Sequence, residues 1–215
     1  MNKKIITVIA VIVVVVLVGW AIFAVGYHGG ASQTQSQPPA AQNNPSAQSQ
    51  PEQPTAAVTP AAGLYASSAD GFSVNFPTTP QVIKSTFNSP SAGSVPVTKY
   101  IAQSGSGASA KYYVIYVYHY PSSYQFPAGY LTGAMDLFAM AVSAKYPTAK
   151  LTSQQPTQLL GNAAEAGTIT VTAGGQQSEN YLVITTKNHN TYGIGTYGMS
   201  QSDYNAFVSS FTFTQ

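Results

Sequence analysis

Residues 111–121 read KYYVIYVYHYP, which places Tyr112, Tyr113, Tyr116, Tyr118 and Tyr120 in one short run together with His119. Successive side chains of a strand point to opposite faces. Tyr112, Val114, Tyr116, Tyr118 and Tyr120 therefore share one face, and Tyr113, Ile115, Val117 and His119 share the other. Both faces are apolar or amphipathic, which predicts a central strand covered on both sides. A tyrosine at the margin of a layer buries its ring and still presents its hydroxyl to water or a partner. The same rings, partly exposed, would form an aromatic binding surface, so Tyr116, Tyr118, Tyr120 and His119 are the candidate binding residues. Periodicity alone does not say which face is open.

The segments on either side have the same character. FSVNFP (72–77), QVIKSTFN (81–88), VPVTKYIAQ (95–103), GTITVTA (167–173), NYLVITT (180–186) and TYGIGTY (191–197) are short runs of β-branched and aromatic residues bounded by Gly, Pro and Asn, and read as strands. AGGQ (173–176) and KNHN (187–190) are turn sequences that make the last three an antiparallel meander. Between 128 and 145, Leu131, Ala134, Met135, Phe138, Ala141, Val142 and Lys145 recur at helical spacing, with Asp136 and Ser143 on the far side and Pro147 closing the helix. Ser200, with Asp203 three residues later, marks the start of a short helix before a final FTF strand. The expected fold class is α+β, an antiparallel sheet flanked by helices.

The first third of the chain is of another kind. Residues 5–25 carry no charged side chain and as a helix would span roughly 30 Å, the thickness of a bilayer core. Lys3 and Lys4 precede this run and the next cation is Lys84, so the N-terminus is expected in the cytoplasm and the rest outside, at the cell membrane. Trp20 lies near the outer end. A cleaved signal peptide, which would leave the domain secreted, is the competing reading of residues 1–28, with small residues at Ala24 and Gly26. Residues 29–63 are dominated by Gln, Pro, Ala, Ser and Thr, with the single charge of Glu52 and almost no large apolar side chain, too polar to offset ordering entropy. They predict a disordered linker with a reach of roughly 30 to 40 Å, leaving residues 64–215 as one extracytoplasmic domain.

Composition narrows the chemistry. Charged residues are 7% of the chain, arginine and cysteine are absent, and the net charge is +2. Single, scattered lysines do not make the basic patch that nucleic acid requires, and no disulfide or thiolate chemistry is available. His28, His119 and His189 show no HxH or HExxH spacing, so no His-based metal site is expected. Asp70, Asp136, Glu165, Glu179 and Asp203 are far apart in sequence. GIGTYG (193–198) matches GxGxxG, but the residues after it are too few for a βαβ unit. No cofactor is implied. Gly193 and Gly195 instead predict a strand face closely approached by another element, with the 128–145 helix as the candidate.

GFSVNFPTTP (71–80), YYVIYVYHYP, GNAAEAG (161–167) as a turn before a strand, and NAFVSSFTF (205–213) together resemble the PsbP-like superfamily over residues 64–215. That superfamily includes the photosystem II extrinsic protein PsbP, a Ran-binding nuclear import factor and exported LpqN-type lipoproteins. The resemblance implies an antiparallel sheet sandwiched by helices and a leaning toward binding or scaffolding, and it assigns no functional residue. The chain lacks the lipid-bearing cysteine of the LpqN type. The expected function is a membrane-anchored binding module of the cell envelope, whose partner is a protein or a wall or matrix glycan met through Tyr-bearing surfaces and polar loops such as 101–111. The alternatives are a surface hydrolase using His119 with Asp136 or Glu165, and a structural envelope subunit.

Overall fold

The computed structural model describes residues 63–106, 109–173 and 176–214. The membrane helix expected over residues 5–25, its flanking Lys3, Lys4 and Trp20, and the linker up to residue 62 lie outside the described residues. No described helix is long and apolar enough to cross a membrane.

The element order is β1 (Gly63–Ser67), β2 (Phe72–Phe76), β3 (Gln81–Ser89), β4 (Gly93–Ser104), β5 (Lys111–His119), α1 (Tyr130–Lys145), β6 (Lys150–Leu159), β7 (Asn162–Ala173), β8 (Gln176–Lys187), β9 (Asn190–Tyr197), α2 (Gln201–Ser209) and β10 (Thr212–Phe213). Seven strands form one sheet in the order β3-β4-β5-β9-β8-β7-β6, and β1-β2-β10 form a second, small one. Every strand pair is antiparallel. The sheet is thus two meanders joined where β5 meets β9. A strand with two apolar faces belongs at such a seam.

Each face of β5 has its own cover. Ile115 and Val117 pack in one cluster with Phe72, Val74, Phe76, Phe207 and Phe211 beneath the small sheet and α2. Phe72 and Phe211 stack at 5.6 Å, and Phe72, Phe76 and Phe211 are fully buried, each stabilising the fold by roughly 1.5–3 kcal/mol. On the opposite face α1 lies across β6, β7 and β8, where Met135, Ala139, Ala141 and Val142 are its buried positions. Tyr116 reaches Phe138 of α1 edge-on at 5.8 Å.

α1 begins two residues after the expected start, because Gly129 at φ 76° cannot be part of a right-handed helix. Ser143, expected on its far side, is half-buried and donates to the carbonyls of Ala139 and Ala149 at 2.9 and 3.0 Å, while Asp136 is exposed. At α2 the Ser200 hydroxyl accepts from the Asp203 amide at 3.2 Å, the cap its spacing predicts. Two strands escape the sequence patterns. β1 is a short extension beginning at Gly63, and β6, KLTSQQPTQL, is a polar edge strand carrying Pro156, a residue confined to edges because it cannot donate to a ladder. Pairing with β6 also draws 162–167 into β7, so the turn expected over 161–167 shrinks to Leu160 and Gly161. β4 extends the strand expected over 95–103 to Gly93 and Ser104, so the polar loop expected over 101–111 begins only after Ser104.

The close helix approach falls at another glycine. A Cβ on Gly167 would lie 2.7 Å from Met135 Sδ of α1, whereas one on Gly193 would meet only Leu182 and Tyr116 of flanking strands at 3.8 Å, and the close neighbours of Gly195 are the Tyr181 carbonyl oxygen and Leu182 of β8 at 3.0 and 3.1 Å, not the helix.

Two hairpins use paired left-handed residues, Asn188 and His189 (φ 49° and 62°) between β8 and β9, and Leu160 and Gly161 (φ 51° and 79°) between β6 and β7. Asn tolerates that conformation and leucine does not. Leu160 is 53% exposed and loses little burial when replaced. Leu160→Asn is expected to stabilise the protein by about 1 kcal/mol, read as a higher urea midpoint of the full chain; an unchanged or lower midpoint would mean the turn carries no strain.

Candidate functional site

The predicted residues separate onto the two sides of the sheet, as alternation along β5 requires. Tyr116, Tyr118 and Tyr120 point toward the α1 side, where the chain leaves β5 and runs through residues 121–129 into α1. That segment is itself aromatic. Tyr120 stacks on Tyr124 at 4.7 Å and meets Phe126 and Tyr130 edge-on at 5.2 and 6.0 Å. Phe126 rests on Tyr130 at 4.6 Å, and Phe87 of β3 meets Tyr118 at 5.9 Å. The hydroxyls tie this cluster to the sheet. Tyr130 donates to the Tyr120 oxygen at 3.1 Å and shares a 2.8 Å bond with Thr191 of β9.

The rings of Tyr116, Tyr118, Tyr120, Tyr130, Phe87 and Phe138 wall a cavity of about 100 Å³ whose floor includes Leu182, Ile184 and Gly193. Gly193 contributes by having no side chain, which leaves open the space beside the Tyr116 ring. Tyr116 is almost fully buried, while Tyr118, Tyr120, Tyr124, Phe126 and Tyr130 are half-buried. Burial raises the phenols of Tyr116, Tyr118 and Tyr130 well above their ordinary value, so they remain neutral donors at any physiological pH. Chemically the cavity is a half-open apolar socket rimmed by hydroxyls.

His119 faces the other way and enters a polar cluster. Its Nε2 lies 3.2 Å from Asp70 Oδ1 and 3.4 Å from Thr98 Oγ1. Tyr100 donates a short hydrogen bond to Asp70 Oδ2, and the Ser67 hydroxyl sits 2.8 Å from that of Tyr100. The Asp70 amide donates to Ser67 Oγ at 3.2 Å, and Tyr192 donates to its carbonyl at 2.9 Å. Asp70 is in the turn between β1 and β2, before Gly71 at φ 65°. The cluster therefore fastens the small sheet to β4, β5 and β9 of the large one, beside a cleft of about 350 Å³ that Lys84 and Ser85 help to line.

Nothing in the sequence marked Asp70 as the partner of His119; the two are brought together only by stacking one sheet on the other. Asp136 is exposed on α1, and Glu165 of β7 faces the α1 side, in line with Gly167 and Ile169. Neither shares the His119 cleft, because the large sheet stands between. The hydroxyls of Tyr100 and Ser67 lead away from the imidazole through the carboxylate, an order that anchors Asp70. Among the described residues no group of three or more His, Asp or Glu side chains comes together to hold a metal. His189 is in the β8–β9 turn.

Hydrogen bonding to Asp70 raises the His119 pKa against the opposing effects of burial and the Lys84 charge, with Asn190 adding a further bond that raises it. Burial works to raise the Asp70 carboxyl, but hydrogen bonds from His119, Tyr100 and Thr98 and the His119 charge outweigh it and hold the carboxyl low. A raised histidine stabilises fully below its unfolded value of 6.5 and loses that contribution as pH rises through its folded pKa. A lowered carboxylate stabilises fully above 3.8 and loses that contribution as pH falls through its folded pKa. The urea midpoint of the full chain should therefore be highest between about pH 4 and 6.5 and decline on both sides. In His119→Gln the decline above that window should vanish, and a profile identical to wild type would show that the pair does not couple the two sheets.

No family model and no curated protein matches this sequence. Among solved structures the chain is similar to cyanobacterial PsbP (CyanoP) from Synechocystis, with TM-score 0.52 and 15% identity, covering 76% of this chain and 99% of that one. A looser likeness, TM-score 0.36 at 14% identity over 67% of this chain and 86% of the other, is to a Pseudomonas aeruginosa protein of unknown function. The stacked antiparallel sheets, the helix across the outer face and the full coverage of the cyanobacterial chain together establish that the described domain has a PsbP-like fold.

Proposed function

We propose that this chain is a binding module of the cell envelope, held at the outer face of the membrane by residues 5–25 and a linker, and that it docks a partner protein through the aromatic socket. The single observation that carries this reading is the cavity of about 100 Å³ walled by Tyr116, Tyr118, Tyr120, Tyr130 and Phe87. Ligand pockets for whole small molecules measure roughly 300–1,000 Å³. A socket of this size suits one aliphatic or aromatic side chain, the kind of buried anchor that dominates protein interfaces. Rim hydroxyls from Tyr120 and Tyr130 offer polar contacts around such an anchor, and tyrosine is enriched at interfaces for that reason. A glycan would stack on open ring faces, and here Tyr120, Tyr124, Phe126 and Tyr130 spend their faces and edges on each other. The PsbP-like fold fits a non-catalytic role.

Two variants test the socket. Tyr118→Ala with Tyr120→Ala removes its wall, and Gly193→Leu fills it from the floor while keeping every ring. The full chain in its own membrane, crosslinked in intact cells, is expected to capture a saturable protein partner that both variants lose by tenfold or more, about 1.4 kcal/mol or more of binding, with the Gly193→Leu urea midpoint near that of wild type. Capture unchanged in both would refute the socket, recovery of glycan alone would replace the protein partner, and concentration-dependent self-association without any partner would favour a structural subunit.

A further inference from the structure

We propose that the outer edge of β3 docks an extended peptide segment of a partner protein, added as an eighth strand and carrying an acidic side chain beside Lys84. The inference rests on the domain being a binding module and uses a surface separate from the socket. The two sheets have four edge strands, and three of them are poor templates. β1 has five residues and β10 two. β6 carries Pro156 and a break in register between Leu151 and Ser153. β3 differs from all of these. Its nine residues pair with β4 in unbroken register from Gln81 with Ile101 to Ser89 with Gly93, and it contains no proline.

Along such a strand every second residue directs its N–H and C=O away from the sheet, and natural edges of this length are ordinarily shortened, bulged or covered. Among the described residues the other edges are short or broken in register, whereas this one is straight and carries Lys84 as its single charge. Strand addition is the interaction that a row of unpaired backbone groups selects. The side chains indicate its chemistry. On the α1 side Ile83 and Phe87 offer apolar neighbours, with Phe87 held against Tyr118. On the other side Lys84 lines the cleft with His119, and the nearby Asp70 carboxylate is already taken by His119 and Tyr100. An incoming strand with alternating apolar residues and one carboxylate complements both sides.

The same charge argues against a second copy of this chain. β3 has no acidic residue, so antiparallel pairing of two copies about Ser85 makes the two Lys84 side chains diagonal neighbours on one face, within reach of each other and without a counter-charge.

The test uses the full chain in detergent micelles and two acetylated nonapeptides of alternating threonine and valine, one with a central glutamate and one with a central lysine. Hydrogen–deuterium exchange is read over residues 81–89. The glutamate peptide is expected to bind saturably and slow exchange there, roughly fivefold more tightly than the lysine peptide, with the preference reversed in Lys84→Glu. Ser85→Pro and Thr86→Pro complete the test. Because successive residues aim their N–H groups to opposite sides, one of these two leaves the β4 ladder intact and should still lose the peptide. No slowing at 81–89 at saturating peptide would overturn the proposal, as would slowing there that grows with protein concentration alone, the mark of a second copy. If β3 fails while the socket variants still lose their partner, only the edge proposal falls; if both fail, the binding-module reading falls with it.

Discussion

A strand with apolar side chains on both faces must be covered twice, and β5 imposes that requirement on everything around it. Ile115 and Val117 call for one layer, and Val114 and Tyr116 for another. The chain meets the first demand with aromatic residues from its two ends, Phe72 and Phe76 from β2 and Phe207 and Phe211 from α2 and the segment after it. It meets the second with α1 and the aromatic segment that leads into it. The termini of the domain therefore meet on one face, and its middle crosses the other.

That layering also explains how a chain with so few charges stays organised. Ionisable groups are used singly and at junctions. Asp70 holds the turn of the small sheet against β4, β5 and β9 through three tyrosine and histidine contacts. Lys111 bonds Asp203 at 3.0 Å, from the start of β5 to the first turn of α2, an exposed pair of modest worth. The tyrosines do the rest, with rings that pack and hydroxyls that find partners at the layer margins. The apolar socket is a by-product of the same economy. It forms where Tyr130, Ala134, Leu137 and Phe138 of α1, centred over β6–β8, face the rings of Tyr116, Tyr118 and Tyr120 and of Phe87 on β3.

Much of this could be read along the chain. Period-two runs located most strands because each pairs with its sequence neighbour and shows alternation or full burial. Ser200 and Asp203 located α2, and KNHN located the β8–β9 hairpin, since capping and left-handed turns are satisfied within a few residues. β6 was illegible because an edge strand exposed to water needs no apolar pattern and tolerates Pro156. Ser143 misled because a hydroxyl at helical spacing looks solvent-facing until a loop carbonyl arrives to accept from it.

By itself the sequence determined the α+β class, the double-sided character of β5, and the grouping of Tyr116, Tyr118 and Tyr120 apart from His119, all of which follow from local periodicity. Only the tertiary structure decided that His119 meets Asp70 and neither Asp136 nor Glu165, that Gly167 rather than Gly193 receives the helix, and that the tyrosines enclose a cavity. Each of those pairings joins residues from different layers or distant strands, and their distances are set by how sheets stack and which strands adjoin, quantities that no local pattern encodes.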